Sequence, residues 1–281
     1  MKYISYTQEG FTPTEEVSFN FSKNYLSIVR GYQVFTFFRT MNMKPIFLDD
    51  HLDRIFSNAL SMHMEVPFSK EELKQKVFQT LEHNKSSLNE LNIMILFAGT
   101  TALKYSPLST DQPIDLYIII SPVKEYSQEY LSGVSLGLFE YARNMGEVKA
   151  PFTYFGGILG EHQLVKTKKY DEILFTDQGL ILEGSTFSFF AVKGSQIITP
   201  PTDGKILESV TRKNVIQSCL DGFEFEERPI LVEEISSFDE AFITSANRGV
   251  VPVLKIDGSL ISSSVGSVTS SIKERYWSLI S

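Results

Sequence analysis

Helix-type and strand-type hydrophobic patterns alternate along the whole of this 281-residue chain. The first clear helix pattern follows Asp49-Asp50, a carboxylate pair that can cap a helix. Its apolar face carries Leu52, Ile55, Phe56, Ala59 and Leu60. Residues 93–98 and 116–120 are instead short aliphatic runs of the length of buried strands. This alternation predicts a mixed α and β fold.

A second helix is predicted to open at Ser69, because Ser69 and Glu72 form a capping-box pattern. Its apolar face carries Leu73, Val77 and Leu81. The chain turns polar at residues 123–129, and we place a domain boundary there. Residues 1–122 then form a smaller N-terminal α/β domain, and residues 123–281 form a larger C-terminal domain.

The alternation continues in the second half of the chain. We predict strands at residues 134–141, 172–176, 180–183, 187–192, 196–199 and 241–245. We predict helices at about 154–168 and 211–222, the second ending at Gly222 as a C-cap. The last helix has one apolar face with Val268, Ile272, Tyr276 and Leu279.

Composition and motif content exclude several functional classes. The net charge is −8 and there is no basic run, so nucleic acid and anionic membranes are poor partners. No apolar stretch nears the roughly 20 residues of a membrane span, and the N-terminus lacks the apolar run of a signal peptide. The single cysteine, Cys219, excludes an intramolecular disulfide and is expected to be a core thiol in a reducing, cytoplasmic compartment. No histidine has metal-ligand spacing to another histidine or to the cysteine, so no metal site is expected.

Lys149 is the first candidate for chemistry. It lies just before the helix predicted at 154–168, in a loop of small and apolar residues. Such a lysine can be desolvated, which lowers its pKa and frees the amine as a nucleophile. An ordinary solvent-exposed loop lysine has the same local sequence, so this position alone does not decide the function.

Six motifs surround Lys149 in a fixed order along the chain. They are Gly31-Tyr-Gln-Val-Phe35, Asp50-His-Leu-Asp-Arg54, Lys149-Ala-Pro-Phe-Thr-Tyr154, Glu183-Gly-Ser185 with Phe189-Phe190, Leu207-Glu-Ser-Val-Thr-Arg212, and Asp239-Glu-Ala-Phe242 through Pro252-Val253. In this order and spacing the chain resembles the class IV aminotransferases, pyridoxal-phosphate enzymes of fold type IV. The resemblance extends from about residue 30 to 277. The family includes branched-chain aminotransferases, D-amino-acid aminotransferases and aminodeoxychorismate lyases.

The resemblance implies a two-domain α/β (α+β) fold with pyridoxal 5′-phosphate between the domains, and at least a homodimer. It implies that Lys149 forms the Schiff base and shuttles the proton, that Glu183 keeps the pyridine nitrogen protonated, and that Tyr154 binds the 3-oxygen. Arg54 is the implied phosphate ligand. Further implied contacts are Leu207 on the ring face, Val210, Thr211, Ser245 and Ala246 at the phosphate, and Phe35 and Asn247 at the substrate.

Four positions depart from the family pattern. Ser188 stands where an asparagine is expected, Ser209 replaces a glycine, and Ala246 aligns with a phosphate-binding threonine. Ala98 stands before Gly99, where lyases and D-amino-acid transaminases tend to carry an arginine that meets a substrate carboxylate. These departures leave the fold and cofactor expectations intact and leave the substrate class open.

Three functions therefore remain open. The first is amino transfer between an amino acid and a 2-oxo acid, both small molecules. The second is pyruvate release from aminodeoxychorismate, with Lys149 as the base. The third is a non-catalytic member of the family, which Ser188, Ser209 and Ala246 motivate.

Overall fold

The structure is a computed structural model that describes residues 2–87, 90–100, 113–167 and 169–281, apart from the Cys219 side chain. Contacts divide the chain into two compact units. The first contains the chain up to Lys124 together with residues 148–152, and the second contains residues 125–147 and 153–281. Lys149 thus belongs to the first unit, whereas the sequence boundary assigns it to the second domain.

The first unit is an antiparallel sheet with helices. Its described strands are β1 (Ile4–Thr7), β2 (Gly10–Pro13), β3 (Gln33–Met41), β4 (Lys44–Pro45), β5 (Leu91–Ala98) and β6 (Asp115–Pro122). Its described helices are α1 (Tyr25–Arg30), α2 (Leu48–Ser61) and α3 (Lys70–Glu82), with a 3₁₀ turn at Thr14–Glu16. The described strands lie in the order β2-β1-β6-β5-β3-β4, and each neighbouring pair is antiparallel.

The starts of α2 and α3 differ in how they are capped. The capping box is confirmed: the Glu72 N–H donates to Ser69 Oγ at 3.2 Å, and the Ser69 N–H donates to the Glu72 carboxylate at 2.7 Å. The cap predicted at Asp49-Asp50 is wrong. Phe47 is the N-cap and makes no side-chain cap bond, so the two aspartates lie inside the first turn of α2. Their negative charges there still interact favourably with the positive end of the helix dipole.

The apolar faces of these helices form the core of the first unit. Five predicted positions are confirmed as buried on α2 and α3: Leu52, Ile55, Ala59, Leu73 and Val77. Leu81 is buried as well, whereas the prediction for Leu60 is wrong because its side chain is 77% exposed. The apolar face of α2 is therefore narrower than the sequence indicates.

Alternate residues of β3 face opposite sides of the sheet. Val34 and Phe38 lie among the apolar side chains of the helices. Phe35 lies on the other face, where it pairs in register with Leu96, and Leu96 pairs with Tyr117. These three residues form a row across β3, β5 and β6, which we call the apolar row.

The second unit is built on a mixed sheet. Its described strands are β7 (Val134–Glu140), β8 (Glu172–Asp177), β9 (Leu180–Gly184), β10 (Ser188–Lys193), β11 (Gln196–Thr199), β12 (Glu224–Glu227), β13 (Ile230–Leu231), β14 (Glu240–Ser245), β15 (Gly249–Ile256) and β16 (Ser259–Leu260). Its described helices are α4 (Gln128–Ser132), α5 (Phe155–Gly160), α6 (Val210–Cys219) and α7 (Ser267–Ile280), with a 3₁₀ turn at Val232–Ser237.

The described strands of this sheet run in the order β12-β11-β10-β14-β15-β7-β8-β9-β13, and β16 pairs with β15. Strand β7 is parallel to both β15 and β8, and β11 is parallel to β12, while the other pairs are antiparallel. The strands predicted in this half of the chain are confirmed. In the described part of the chain, no helix has the length and apolar content needed to cross a bilayer.

The helix predicted at about 154–168 is confirmed as a helical segment, but it is α-helical only in part. A 3₁₀ turn at Pro151–Tyr154 leads into α5, which continues as a π-helical turn at Glu161–Val165. Its glycines favour such irregularity, because each weakens an α-helix by about 0.5–1 kcal/mol relative to alanine. Tertiary packing also requires glycine here: a Cβ on Gly156 would lie 2.2 Å from the Tyr141 ring.

The last two helices differ from their predictions at one end each. Helix α6 ends at Cys219 with Leu220 as the C-cap, so the C-cap predicted at Gly222 is wrong. The expectation of a core thiol at Cys219 lies outside the described side chains. On α7, Ile272 and Tyr276 are buried as predicted, whereas Leu279 is 43% exposed.

Candidate active site

Lys149 is held by its backbone in the first unit. Its N–H donates to Asn58 Oδ1 at 2.9 Å, and its carbonyl accepts from the Phe35 N–H at 2.9 Å. The neighbours Val148 and Ala150 are fully buried in the core. The half-buried side chain places its ammonium nitrogen 4.9 Å from the centre of the Phe35 ring, at one end of the apolar row. The backbone of the predicted lysine is therefore fixed, while its amine lies beside an aromatic ring.

Arg54 lies in a polar cluster on α2 and β3. Its Nη2 donates to Thr36 Oγ1 at 3.0 Å, and Thr36 Oγ1 lies 2.7 Å from His51 Nδ1. Burial, with the cations Arg54 and Lys149 adding to it, holds the pKa of His51 well below its ordinary value of 6.5. Arg54 Nη2 also lies 3.5 Å from His51 Nδ1, and because an arginine can only donate, Nδ1 is an acceptor and the neutral imidazole carries its hydrogen on Nε2.

The other predicted catalytic carboxylate, Glu183, lies at the end of β9 in the second unit. Arg143 Nε is 3.5 Å from its Oε1, and both side chains are almost fully buried, at 3% and 5% exposure. The Leu207 N–H donates to the same carboxylate at 3.2 Å. A cation and a backbone donor at this distance stabilise the ionised form of a buried carboxyl.

Arg143 also connects Glu183 to Tyr154. Its Nη2 donates to the carbonyls of Gly184 at 2.9 Å and Ser185 at 2.7 Å, which fixes the plane of the guanidinium. Its central carbon lies 4.9 Å from the centre of the Tyr154 ring. Glu183, Tyr154 and Leu207 are thus brought together around one buried arginine. Sequence reasoning missed it, although Arg143 lies only six residues before Lys149.

The predicted phosphate-binding residues Val210 and Thr211 begin helix α6. The helix dipole and free N–H groups at such an end attract anions. Ser209 is the N-cap, and its Oγ accepts from the Arg212 N–H at 3.3 Å. The serine that departs from the family's glycine therefore has a local role, because it caps the helix.

Ser245, Ala246 and Asn247 lie elsewhere in the second unit, in the loop between β14 and β15. Ser245 pairs with Gly249, whose φ of +64° closes a three-residue hairpin loop. The three predicted residues are half-buried, whereas Arg248, the last residue of the loop, is buried. Sequence reasoning did not single out Arg248.

Two further departures from the family pattern lie inside sheets. Ser188 pairs in register with Thr244, and within the described residues neither hydroxyl has a hydrogen-bond partner. Ala98 is fully buried on β5, in register with Gln33 and Asp115. Across the described ranges, no group of three histidine, cysteine, aspartate or glutamate side chains could hold a metal ion.

Comparison with known proteins identifies the family. A family model described as Amino-transferase class IV matches residues 33–256. The chain belongs to the class IV aminotransferases, has the mixed α and β fold of type IV, and is a pyridoxal-phosphate-dependent enzyme.

Three similar proteins span different activities. D-alanine aminotransferase of Bacillus licheniformis is 26% identical over 83% of this chain and 83% of that protein. Aminodeoxychorismate lyase of Bacillus subtilis strain 168 is 24% identical over 88% of this chain and 85% of that protein. The crystal structure of a branched-chain aminotransferase from the archaeon Thermoproteus uzoniensis with norvaline superposes with a TM-score of 0.90, at 25% identity, covering 100% of this chain and 95% of that one.

The residues present fit pyridoxal phosphate by the chemistry of their donors. Lys149 would supply an amine for the aldehyde, and Glu183 would supply a buried carboxylate for the pyridine nitrogen. Arg54 and the start of α6 supply a guanidinium and backbone N–H groups of the kind that bind phosphate. Each of these groups is held by hydrogen bonds or packing within its own unit.

Proposed function

We propose that this enzyme transfers an amino group between an amino acid and a 2-oxo acid. The observation that carries the proposal is Lys149, whose backbone is fixed by Asn58 and Phe35 while its amine lies half-buried beside an aromatic ring. A covalent cofactor needs such a positioned amine. The names of the aminotransferases to which the chain is similar support the reaction class.

Each proposed role follows from the chemistry of a side chain. When bound, the cofactor supplies a ring that withdraws electrons from the substrate's α-carbon. Lys149 would hold the cofactor through its amine, and the same amine would move the proton that leaves the substrate's α-carbon. Glu183, kept ionised beside Arg143, would accept a hydrogen bond from the protonated pyridine nitrogen. Tyr154 would donate a hydrogen bond from its hydroxyl to the 3-oxygen.

The remaining residues bind without reacting. Arg54 and the N–H groups at Val210 and Thr211 hold the phosphate, together with the loop at Ser245 and Ala246. Leu207 packs on the ring. Because these contacts are the same before and during the reaction, they contribute to cofactor affinity more than to rate.

The apolar row favours substrates with apolar side chains. The half-buried Phe35 ring has its centre 4.9 Å from the Lys149 amine and is the residue of the row that offers apolar surface, whereas Leu96 and Tyr117 pair beside it in register and are already buried. Aliphatic side chains gain about 25 cal/mol for each Å² of apolar surface buried against such residues. We propose aliphatic amino acids as donors, with the Asn247 amide binding the substrate carboxylate, and the branched-chain enzyme of Thermoproteus uzoniensis, whose structure contains norvaline, supports this choice.

Two experiments test the proposal in sequence. The purified protein with pyridoxal phosphate should absorb near ~410–430 nm, and borohydride should remove the band and label the peptide that contains Lys149. An amino-donor screen with 2-oxoglutarate and with pyruvate as acceptors should then show turnover for aliphatic amino acids. A protein that stays colourless and unlabelled with excess cofactor contradicts the proposal.

Aminodeoxychorismate lyase is the second candidate function. The similarity to the lyase of Bacillus subtilis supports it, because the same lysine can remove a proton from either kind of substrate. Pyruvate release from aminodeoxychorismate, measured beside the donor screen, separates the two functions. Release without amino transfer would favour the lyase.

We further infer that the enzyme works as a homodimer in the cytoplasm. Exposed apolar side chains support self-association: Phe21, Ile28 and Val29 in the first unit, and Phe155 and Ile158 on α5. Sedimentation equilibrium should give twice the chain mass of 31.8 kDa. A monomer across the micromolar range would contradict the dimer.

A further inference from the structure

Arg248 is a buried cation in the loop that carries three proposed ligand-binding residues. It lies between Asn247 and Gly249, and only 5% of its surface is exposed. A charged side chain is rarely buried to this extent unless it is held by several partners. The loop needs no arginine for its turn geometry, which Gly249 supplies through its positive φ.

The guanidinium is held on every side within the second unit. Nη1 donates to Glu172 Oε1 at 2.5 Å and to the Tyr130 hydroxyl at 2.6 Å. Nη2 donates to Thr186 Oγ1 at 2.7 Å and to its carbonyl at 3.3 Å. Nε donates to Ser245 Oγ at 2.8 Å. These contacts leave the arginine no second orientation, so the direction of its Nε–H is fixed.

The fixed donor determines how the Ser245 hydroxyl is used. An arginine can only donate, so Ser245 Oγ is the acceptor in this bond and must direct its own hydrogen elsewhere. Within the described residues no acceptor receives that hydrogen. A hydroxyl that accepts from a cation is also polarised and becomes a stronger donor.

We propose that Arg248 is a positioning residue that makes Ser245 a hydrogen-bond donor to an anionic oxygen of the bound ligand. This proposal rests on the proposed function, in which the same loop meets the cofactor phosphate or the substrate carboxylate. It also accounts for Ala246, because a serine held by Arg248 supplies the hydroxyl that the family's threonine provides one residue later. The cofactor phosphate and the substrate carboxylate both present an anionic oxygen, and the experiment has one arm for each.

The phosphate arm compares pyridoxal phosphate with pyridoxal, which lacks the phosphate. Dissociation constants are measured by absorbance for the parent, Ser245→Ala, Arg248→Lys and the double variant, and ³¹P NMR records the shift of the bound phosphate. Arg248→Lys keeps the charge beside Glu172 but has no Nε–H for the serine. Thr244→Val is the control, because it removes a neighbouring buried hydroxyl that has no partner within the described residues.

If the oxyanion is the phosphate, Ser245→Ala and Arg248→Lys should each weaken the binding of pyridoxal phosphate about tenfold or more relative to the binding of pyridoxal. The double variant should lose no more than Ser245→Ala alone, because Arg248 acts through the serine. The ³¹P shift should change in these three variants and not in Thr244→Val. A merely structural arginine would weaken both ligands equally, and that result overturns the proposal.

The carboxylate arm titrates the loaded enzyme with L-leucine and with 3-methylbutylamine, which lacks the carboxylate. If the oxyanion is the carboxylate, the same variants should lose affinity for leucine about tenfold relative to the amine, and the ratio of pyridoxal phosphate to pyridoxal affinity should stay at the parent value. If neither ratio changes, the proposal is wrong. A parent protein that binds no pyridoxal phosphate at Lys149 would instead be a failure of the proposed function.

Lysine keeps a positive charge beside Glu172, but it cannot reproduce every bond that the guanidinium makes to Tyr130 and Thr186. Should Arg248→Lys fail to fold, the pair Arg248→Gln with Glu172→Gln keeps a neutral hydrogen-bonding network at this site. It must show the same non-additivity with Ser245→Ala. Additive losses in this background would count against the proposal.

Discussion

Replacing Glu183 by glutamine should slow the enzyme far more than it weakens cofactor binding. Glutamine has the shape of glutamate, so its Oε1 can still accept from the Leu207 N–H, which lies at 3.2 Å, but it loses the ion pair with Arg143 Nε at 3.5 Å. It lacks the negative charge that the proposed role requires. A neutral amide cannot hold the pyridine nitrogen protonated, and the ring then withdraws fewer electrons from the substrate.

The expected magnitudes follow from the two contacts. Hydrogen bonds to charged groups contribute about 1.5–3 kcal/mol and neutral ones about 0.5–1.5 kcal/mol, so Glu183→Gln should cost about 1–2 kcal/mol of unfolding free energy. Glu183→Ala should cost about 3–5 kcal/mol, because it leaves the buried Arg143 without its carboxylate. Turnover of Glu183→Gln should fall at least about a hundredfold, as when an aimed electrostatic stabiliser is removed.

The assay separates rate, binding and folding. Turnover at saturating substrate, the dissociation constant of pyridoxal phosphate and urea unfolding are measured for both variants and for Glu208→Gln, which changes an exposed carboxylate next to Leu207. Glu183→Gln should remain yellow, because Lys149 and the aldehyde are unchanged. A variant that turns over like the parent would refute the placement of Glu183 at the pyridine nitrogen.

Three further predictions follow from the first unit and from α5. Arg54→Ala should weaken the binding of pyridoxal phosphate about 10–100-fold. Turnover should be largely restored at saturating cofactor, because a phosphate contact is the same in the ground and transition states. Unchanged affinity in a cofactor titration would contradict this role. Between pH 6.5 and the lowered folded pKa of His51, the unfolded chain binds a proton that the folded chain does not, so stability falls as the pH falls, by about 1.4 kcal/mol per pH unit. His51→Gln should remove that part of the slope in urea unfolding of the cofactor-free protein at pH 7.5, 6.5 and 5.5, and an unchanged slope would mean that the histidine is charged. Gly156→Ala should lower the free energy of unfolding by about 1–3 kcal/mol, since the new Cβ would lie 2.2 Å from the Tyr141 ring. Gly157→Ala should lower it less, because the nearest atom to its new Cβ is 3.0 Å away. Equal unfolding free energies for the two variants would contradict this packing.

Local sequence predicted the elements whose causes are local. The capping box at Ser69 and Glu72 depends on residues three apart, and the structure confirms both of its bonds. The strands of the second unit were predicted from short runs of aliphatic residues for the same reason. Predictions were incomplete where neighbours distant in sequence contribute, as at the helix after Lys149, where Gly156 packs against Tyr141.

The candidate site shows the same division. Lys149, Glu183 and Arg54 belong to short motifs that could be read from the chain, and the family they indicated is confirmed. Arg143 and Arg248 were missed, because nothing in their local sequence shows that they are buried. Arg143 meets Glu183 across 40 positions of the chain, and Arg248 meets Tyr130 across 118.

The sequence by itself determined the family, the cofactor and the residue types that carry the chemistry, because these depend on motifs whose order survives along the chain. Only the tertiary structure decided which groups surround each of those residues. Burial removes water, so buried charges need partners. Glu183 meets Arg143, and Tyr130 and Glu172 fix Arg248 beside Ser245, only because segments distant in sequence lie side by side. His51 is the clearest case: its local sequence is that of an ordinary histidine, and burial, with Arg54 and Lys149 nearby, holds its pKa well below 6.5.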